Sequence, residues 1–300
     1  MVHSLVSTGR FEIHHTMNQD TDVALQKRHG SLKELHGMLG FIDSIQVYNR
    51  TKTTDGPKLG LSSEEKVYKQ FLIYSNCYAA ELPVIICEGE TDNVYLTHAI
   101  RSLAAEFPNL AAVKNRKIGL KVRLFRYPHS STARILGLGD GGSGARKNFI
   151  ATYGGQTKRF TAPGLENPVI LLYDNDSGAN DIKAVIRKAS KGKTTEGAPF
   201  VHIFKNIYAM ATPIVGTAPE SKIEDFFDEA PLGVLVGGKT FHTGKDFDIE
   251  KHYGKVVFAR RVVEPKADTI NFAGFRPLLT NLAGAIQSYK AVITSKGAGA

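Results

Sequence analysis

From Pro83 onward, short apolar runs alternate with stretches of helical periodicity, and that alternation admits few architectures. Pro83–Cys87, Pro168–Tyr173 and Phe200–Phe204 read as strands, and Lys121–Tyr127 alternates basic and apolar residues like a half-exposed one. Between and after them come periodic segments. One carries Val94, Tyr95, Ile100 and Leu103; the others are Asn180–Ala189, Ser221–Asp228 and a long helix from Arg276 to about Tyr289. A strand that is apolar along its whole length must be covered above and below. Residues 80–290 are therefore expected to form an α/β domain, a parallel sheet flanked by helices on both faces. The N-terminal part reads as mainly helical. Ser31 and Glu34 make a capping box that opens a helix through about Val47, with Leu32, Leu35, Leu39, Ile42 and Ile45 on its apolar face. Asn49–Leu61 is polar and turn-rich, a linker by composition, and Ser62, Ser63 and Glu65 open a second helix through about Cys77.

Three hundred residues with 42% hydrophobic content suffice for a substantial core. Cys77 and Cys87 are too few for a disulfide framework and lack CxxC spacing, which favours a reducing cytoplasm. The opening MVHSLVSTGR has no charged region followed by an apolar one, so no secretory signal is expected. The apolar runs are too short to span a bilayer, and no membrane partner is expected. His14, His15, His36 and His129 do not fall at zinc-ligand spacing.

The net charge is +9, and its distribution is uneven. Between Pro108 and Leu165 stand eleven basic residues, Lys114, Arg116, Lys117, Lys121, Arg123, Arg126, Arg134, Arg146, Lys147, Lys158 and Arg159, against the single acid Asp140. Phe125, Tyr127, Phe149, Tyr153 and Phe160 are interleaved with them, a composition suited to phosphate contact and base stacking. The same segment contains a literal GxGxxG at Gly137–Gly142. It lacks a preceding apolar strand and a following lysine–hydroxyl pair, so it reads as a glycine-rich phosphate-contacting loop, not a dinucleotide fingerprint.

Two of the apolar strands end in carboxylates. Val84–Cys87 runs into Glu88-Gly89-Glu90-Thr91-Asp92, and Val169–Tyr173 into Asp174-Asn175-Asp176. In a parallel sheet, functional groups gather at the C-terminal ends of strands, so neighbouring strands would bring these acids together. Crowded carboxylates repel unless a cation neutralises them, and an all-oxygen set suits Mg²⁺ or Mn²⁺. Tyr173-Asp174-Asn175-Asp176 is not a polymerase box, because its aspartates are separated and a helix follows.

At these positions the chain resembles the TOPRIM domain of topoisomerases, primases and overcoming-lysogenization-defect nucleases, whose hallmark is a strand-terminal Glu-Gly with a nearby Asp, then Asp-x-Asp after a later strand. Ser221–Phe227 resembles the acidic helix of the nuclease-type members, and Gly254–Ala259 the region where they carry a basic residue near the scissile phosphate. The resemblance implies a TOPRIM domain over 61–290 with a basic insertion at about 108–165, followed by a flexible tail at 291–300. It implies metal ligands at Glu88, Asp92, Asp174, Asp176 and Glu224, and catalytic roles for Glu88, Asp174, Asp176 and Lys255; because a carboxylate beside metals can serve either role, proton transfer by Glu88 or Glu90 is the alternative. The separation of Glu88 and Asp174 by 86 positions departs from a minimal core and is accounted for by the insertion. The helix at Leu32–Ile42, within a helical segment and linker over 1–60, resembles the thumb-end helix of retron reverse transcriptases, and with Tyr68–Tyr74 leading into Pro83–Leu96 the whole resembles the C-terminal portion of a retron reverse transcriptase fused to TOPRIM. The implied whole is an Mg²⁺-dependent endonuclease, the effector of an anti-phage system restrained by the reverse transcriptase portion and its RNA–DNA product. The alternatives are a non-catalytic module binding nucleic acid and reverse transcriptase, and topoisomerase or primase activity.

Overall fold

The computed structural model describes residues 61–125, 135, 136, 138, 142–244 and 246–297. The Ser31 helix, most of the linker, Tyr127, His129 and most of the glycine-rich loop lie outside them.

Helix α1 spans Ser63–Ile73 and starts as expected. Ser62 Oγ accepts from the Glu65 N–H while Glu65 accepts from the Ser62 N–H, and the helix continues as a π-helical turn over Tyr74–Tyr78. Strand β1 (Val84–Ile86) follows, then α2 (Glu90–Ser102), a hairpin of β2 (Ala111–Lys114) and β3 (Lys117–Leu120), and the short β4 (Arg123–Leu124). Next come α3 (Gly142–Thr157), β5 (Val169–Tyr173), α4 (Asn180–Ala189), β6 (Val201–Phe204) and β7 (Ile207–Ala211). A short parallel pair, β8 (Thr240–Phe241) with β9 (His252–Tyr253), precedes the final helix α5 (Arg276–Gly297). Helix α5 runs through the stretch expected to be a tail, because Ile293 still packs against the core.

The principal sheet has the order β4-β1-β5-β7-β6. Strands β4, β1, β5 and β7 are parallel, with Ile85 opposite Ile170 and Ile86 opposite Leu171. Only β6 departs from the expected parallel arrangement, pairing antiparallel with β7. The reason is local: Lys205 (φ 50°) and Asn206 turn the chain back within two residues, too few for a crossover. Side chains alternate across the sheet as the pleat requires. Val84, Ile86, Val169, Leu171 and Tyr173 join a core with α1, α3 and α4; Ile85, Ile170 and Leu172 join one with α2 and α5. The result is an α/β sandwich of three layers.

Asn206 ties the N-terminal edge of this sheet together. It is fully buried, its Oδ1 accepts from the Tyr153 hydroxyl at 2.9 Å, and its Nδ2 donates to the Cys77 and Asn167 carbonyls. Replacing Asn206 with Ala strands the buried Tyr153 hydroxyl and Cys77 carbonyl, each worth roughly 1–3 kcal/mol when unpaired, and frees the half-buried Asn167 carbonyl. The expected destabilisation is about 3 kcal/mol or more, measurable as a lower urea midpoint with an unchanged slope.

Candidate active site

From β1 the chain passes to β4 on one side and then to β5 on the other, so the strand order reverses between β1 and β5. Such a switch point opens a crevice at the C-terminal ends of the strands. Glu88 and Asp174 emerge there, and the Asp174 N–H lies 3.3 Å from Glu88 Oε2 as its donor. Asp92, in the first turn of α2, folds back so that Oδ2 accepts from the Glu88 and Gly89 N–H groups at 3.1 and 2.9 Å. This caps the helix and fixes the turn that presents Glu88.

Glu224 arrives from a distant segment through a built contact. Asn175 bridges Ser221 by paired backbone hydrogen bonds, and the buried Thr212 and Ser221 hydroxyls lock the same loop. The Ile223 N–H then donates to Asp174 Oδ1 at 3.1 Å, and the 3₁₀ turn Ile223–Phe226 carries Glu224 beside it. Phe227, next along, anchors the turn with edge contacts to Tyr95, Phe258 and Phe275 at 5.0–5.2 Å between ring centres. Phe258 begins the π-helical segment Phe258–Val263, which continues the short helix Lys255–Val257. One aromatic cluster thereby sets both Glu224 and Lys255. Lys255 Nζ lies 2.9 Å from Glu224 Oε2 and 3.9 Å from Asp174 Oδ2.

Arg146 completes the arrangement. It comes from the first turns of α3, is only 3% exposed, and places Nη2 2.6 Å from Glu88 Oε1. Among the described residues its Nε and Nη1 are buried without a hydrogen-bond partner, as is the Oε1 atom of Glu224, whose Oε2 lies 2.9 Å from the Lys255 ammonium. Four carboxylates thus face two cations.

The protonation equilibria follow from that imbalance. Burial first, then Glu224, Asp92 and Glu88, push the Asp174 carboxyl up to about 7 against the pull of Lys255. Burial likewise raises Glu224 and Asp92, with Lys255 opposing in both. Burial disfavours the Lys255 ammonium, but Glu224, Asp174 and Asp92 outweigh it and raise its pKa. Cys87, fully buried below Glu88, has its thiol raised by burial, which makes it a filler and not a nucleophile.

These shifts have a consequence for stability. A carboxyl whose folded pKa lies above its unfolded value of 3.8 holds its proton more tightly when folded. Its stabilising contribution is complete below pH 3.8 and is lost as pH rises through about 7. The loss has an upper bound of about 4 kcal/mol. In EDTA, wild-type protein is expected to lose melting temperature relative to Asp174→Asn between about pH 4 and pH 7, measured by parallel thermal scans.

Glu88, Asp92, Asp174, Glu224 and Lys255 are therefore brought together. Asp176 turns back on its own loop, where Oδ1 accepts from the Gly178 N–H at 3.0 Å. Glu90 pairs with Arg260 at 3.2 Å. Among the described residues, no three His, Cys, Asp or Glu side chains already converge as a metal-ligand set. The donor chemistry nevertheless fits a hard divalent cation. All the groups are carboxylate oxygens, burial and then neighbouring carboxylates push Asp92, Asp174 and Glu224 upward, and among the described residues Glu224 Oε1 is buried without a donor.

The eleven basic residues do not form one surface. Lys114, Arg116 and Lys117 are exposed at the tip of the β2–β3 hairpin, whose Asn115-Arg116 turn has φ 52° and 61°, as a type I′ turn requires. Lys121 Nζ donates to the Pro108 carbonyl at 2.8 Å, Arg123 donates to the Asn76 carbonyl, and Lys147 pairs with Asp181 at 2.6 Å. Lys158 and Arg159 are exposed at the far end of α3, and Arg126 and Arg134 lie outside the described residues. Phe125, Phe149 and Tyr153 are core residues and are closed to base stacking, while Phe160 packs on Tyr74 and Tyr78. Sequence reasoning places Arg146 among the nucleic-acid contacts and misses its pairing with Glu88, because charge density carries no information about burial.

No protein-family model matches the chain, and no solved structure matches it.

Proposed function

We propose that the β1/β5 edge hydrolyses phosphodiester bonds with a divalent cation, as the TOPRIM resemblance of Glu88-Gly89 and Asp174-Asn175-Asp176 implies. The observation that carries this is the meeting of Glu88, Asp174 and Glu224, from three separate chain segments, at the sheet's switch point with Lys255 beside them. These three carboxylates would hold the ion. Bound Mg²⁺ or Mn²⁺ supplies a Lewis acid for the phosphate and lowers the pKa of an attacking water.

The chain's own residues do the rest. Asp92 is committed to the Glu88–Gly89 backbone, so its role is to shape the turn that aims Glu88. Arg146 holds the Glu88 carboxylate in one orientation through the 2.6 Å pair. Lys255, with 35% of its side chain exposed, is placed to meet a substrate phosphate while compensating Glu224. Asp174, titrating near neutrality when no cation is bound, is suited to exchange its proton for an ion at physiological pH. The restraint by a reverse transcriptase portion rests on the N-terminal resemblance, outside the described residues, and is not needed for this chemistry.

Purified protein incubated with labelled single- and double-stranded DNA and RNA should cleave at least one of them in Mg²⁺ or Mn²⁺ and none in EDTA. Salt-sensitive binding without turnover under every condition would instead identify a binding module.

A further inference from the structure

A second concentration of charge lies at the opposite edge of the sheet. Helix α3 begins beside Glu88 through Arg146 and ends at Thr157, whose hydroxyl accepts from Lys205 Nζ at the turn before β7. Ten residues of helix separate Arg146 from Gln156, so the two ends stand about 15 Å apart. At the far end, α1 and α3 leave between them a cavity of about 440 Å³ lined by Lys66, Lys69, Arg159, Gln156 and Leu61, with Gln70 and Gly155. Among the described residues the lining has three cations and no acid.

Lys69 is the unusual member. It is only 8% exposed, and among the described residues its ammonium makes no hydrogen bond or ion pair. Lys66 and Arg159, both exposed, likewise have no ion-pair partner among those residues. Among the described residues Gln156 Oε1 is buried without a donor; with the carboxamide turned about, its NH₂ would face the same space. Burial of Lys69 lowers its pKa, the response of an ammonium that lacks a counter-charge. Lys158 lies close enough to Lys205 to lower that group further, after burial, so positive charge continues past the cavity. Burying an unpaired charge among like charges destabilises a fold. A multiply charged anion reverses each of these penalties at once: it accepts from ammonium and guanidinium together and needs no apolar pocket. The volume exceeds that of a lone phosphate and falls within the usual range for small-ligand sites.

We propose that the cavity between α1 and α3 binds phosphate groups, carried by a free nucleotide or by a nucleic-acid strand, at a site separate from the carboxylate edge.

The test uses the whole chain in EDTA, which keeps the carboxylate edge free of divalent ions. Pyrophosphate, ATP and a short oligothymidylate are titrated calorimetrically and in thermal-shift scans. At least one should bind and raise the melting temperature of wild-type protein and of Glu88→Gln alike. Binding of ATP but not oligothymidylate assigns the phosphate to a free nucleotide, and the converse assigns it to a strand. Lys69→Met should weaken that binding by about tenfold or more, the loss expected for one charge-assisted contact. It should melt no lower than wild type in phosphate-free buffer, because it removes one cation from a cluster of like charges. The exposed double variant Lys66→Ala/Arg159→Ala provides a second reading that does not disturb the core, and it too should bind more weakly. No binding of any of the three probes at millimolar concentration, or equal binding by wild type and both variants, would overturn the proposal.

Discussion

Asp174→Asn is expected to lower metal-dependent cleavage by about a thousandfold or more while the protein stays folded. Removing the charge removes a cation ligand, and the several kcal/mol of charge stabilisation that a bound ion supplies correspond to a loss of that size. The fold should tolerate the change, because Asp174 Oδ1 already accepts from the Ile223 N–H and an asparagine oxygen can keep that bond. Asn also has no proton to lose near neutrality, so the variant should melt no lower than wild type at pH 7 in EDTA. Glu88→Gln is expected to give a similar loss of activity with a larger structural effect, since it leaves the Arg146 guanidinium buried without its counter-charge. Measured rates within tenfold of wild type for both variants would remove the carboxylates from the chemistry.

The second large effect is expected at Arg146. Replacing it with Met deletes the 2.6 Å pair with Glu88 while keeping much of the buried stem. Glu88, about a third exposed, recovers part of its solvation from water, so the stability cost should stay near 1–3 kcal/mol. Activity should suffer more. A group that orients a metal-binding carboxylate commonly contributes about 10–100-fold, and kcat is expected to fall by that amount with KM for the strand nearly unchanged. A role as a nucleic-acid contact predicts the opposite division, a higher KM and salt-sensitive binding with kcat preserved. A kinetic series at two salt concentrations separates the two.

Glu88 and Asp174 were legible because each ends an uninterrupted apolar strand, and strands of that kind are parallel and adjacent to one another in α/β sheets. Glu224 was legible only through resemblance. Its placement depends on the Asn175–Ser221 bridge and on Phe227 docking among aromatic rings, neither of which leaves a periodic signal. Strand β7 was not seen at all, although it lies inside the sheet. Ile207–Ala211 follows β6 after two residues, so the pair reads as one stretch, and with Ile207, Tyr208, Ala209 and Met210 all buried it shows no alternation. The basic insertion was misread as a surface for the same kind of reason. Composition records the charge of Arg146 but not that it lies beneath Glu88, and it records Phe149 and Tyr153 as aromatic without showing that they fill the core. Asp176 was overvalued, because the spacing of an Asp-x-Asp says nothing of the Gly178 N–H that claims one of its oxygens.

Mn²⁺ binding bears on the carboxylate site most directly, since it does not require the substrate to be known. Electron paramagnetic resonance of free Mn²⁺, titrated with wild-type protein at pH 7.5, should show loss of the free-ion signal, competed by Mg²⁺. Asp174→Asn and Glu224→Gln should each weaken binding at least tenfold, while Asp225→Asn, whose carboxylate accepts from the Lys222 N–H outside the cluster, should leave it unchanged. Wild-type protein that leaves the Mn²⁺ signal untouched, or variants that bind as tightly as wild type, would contradict a metal-dependent phosphodiesterase at this edge.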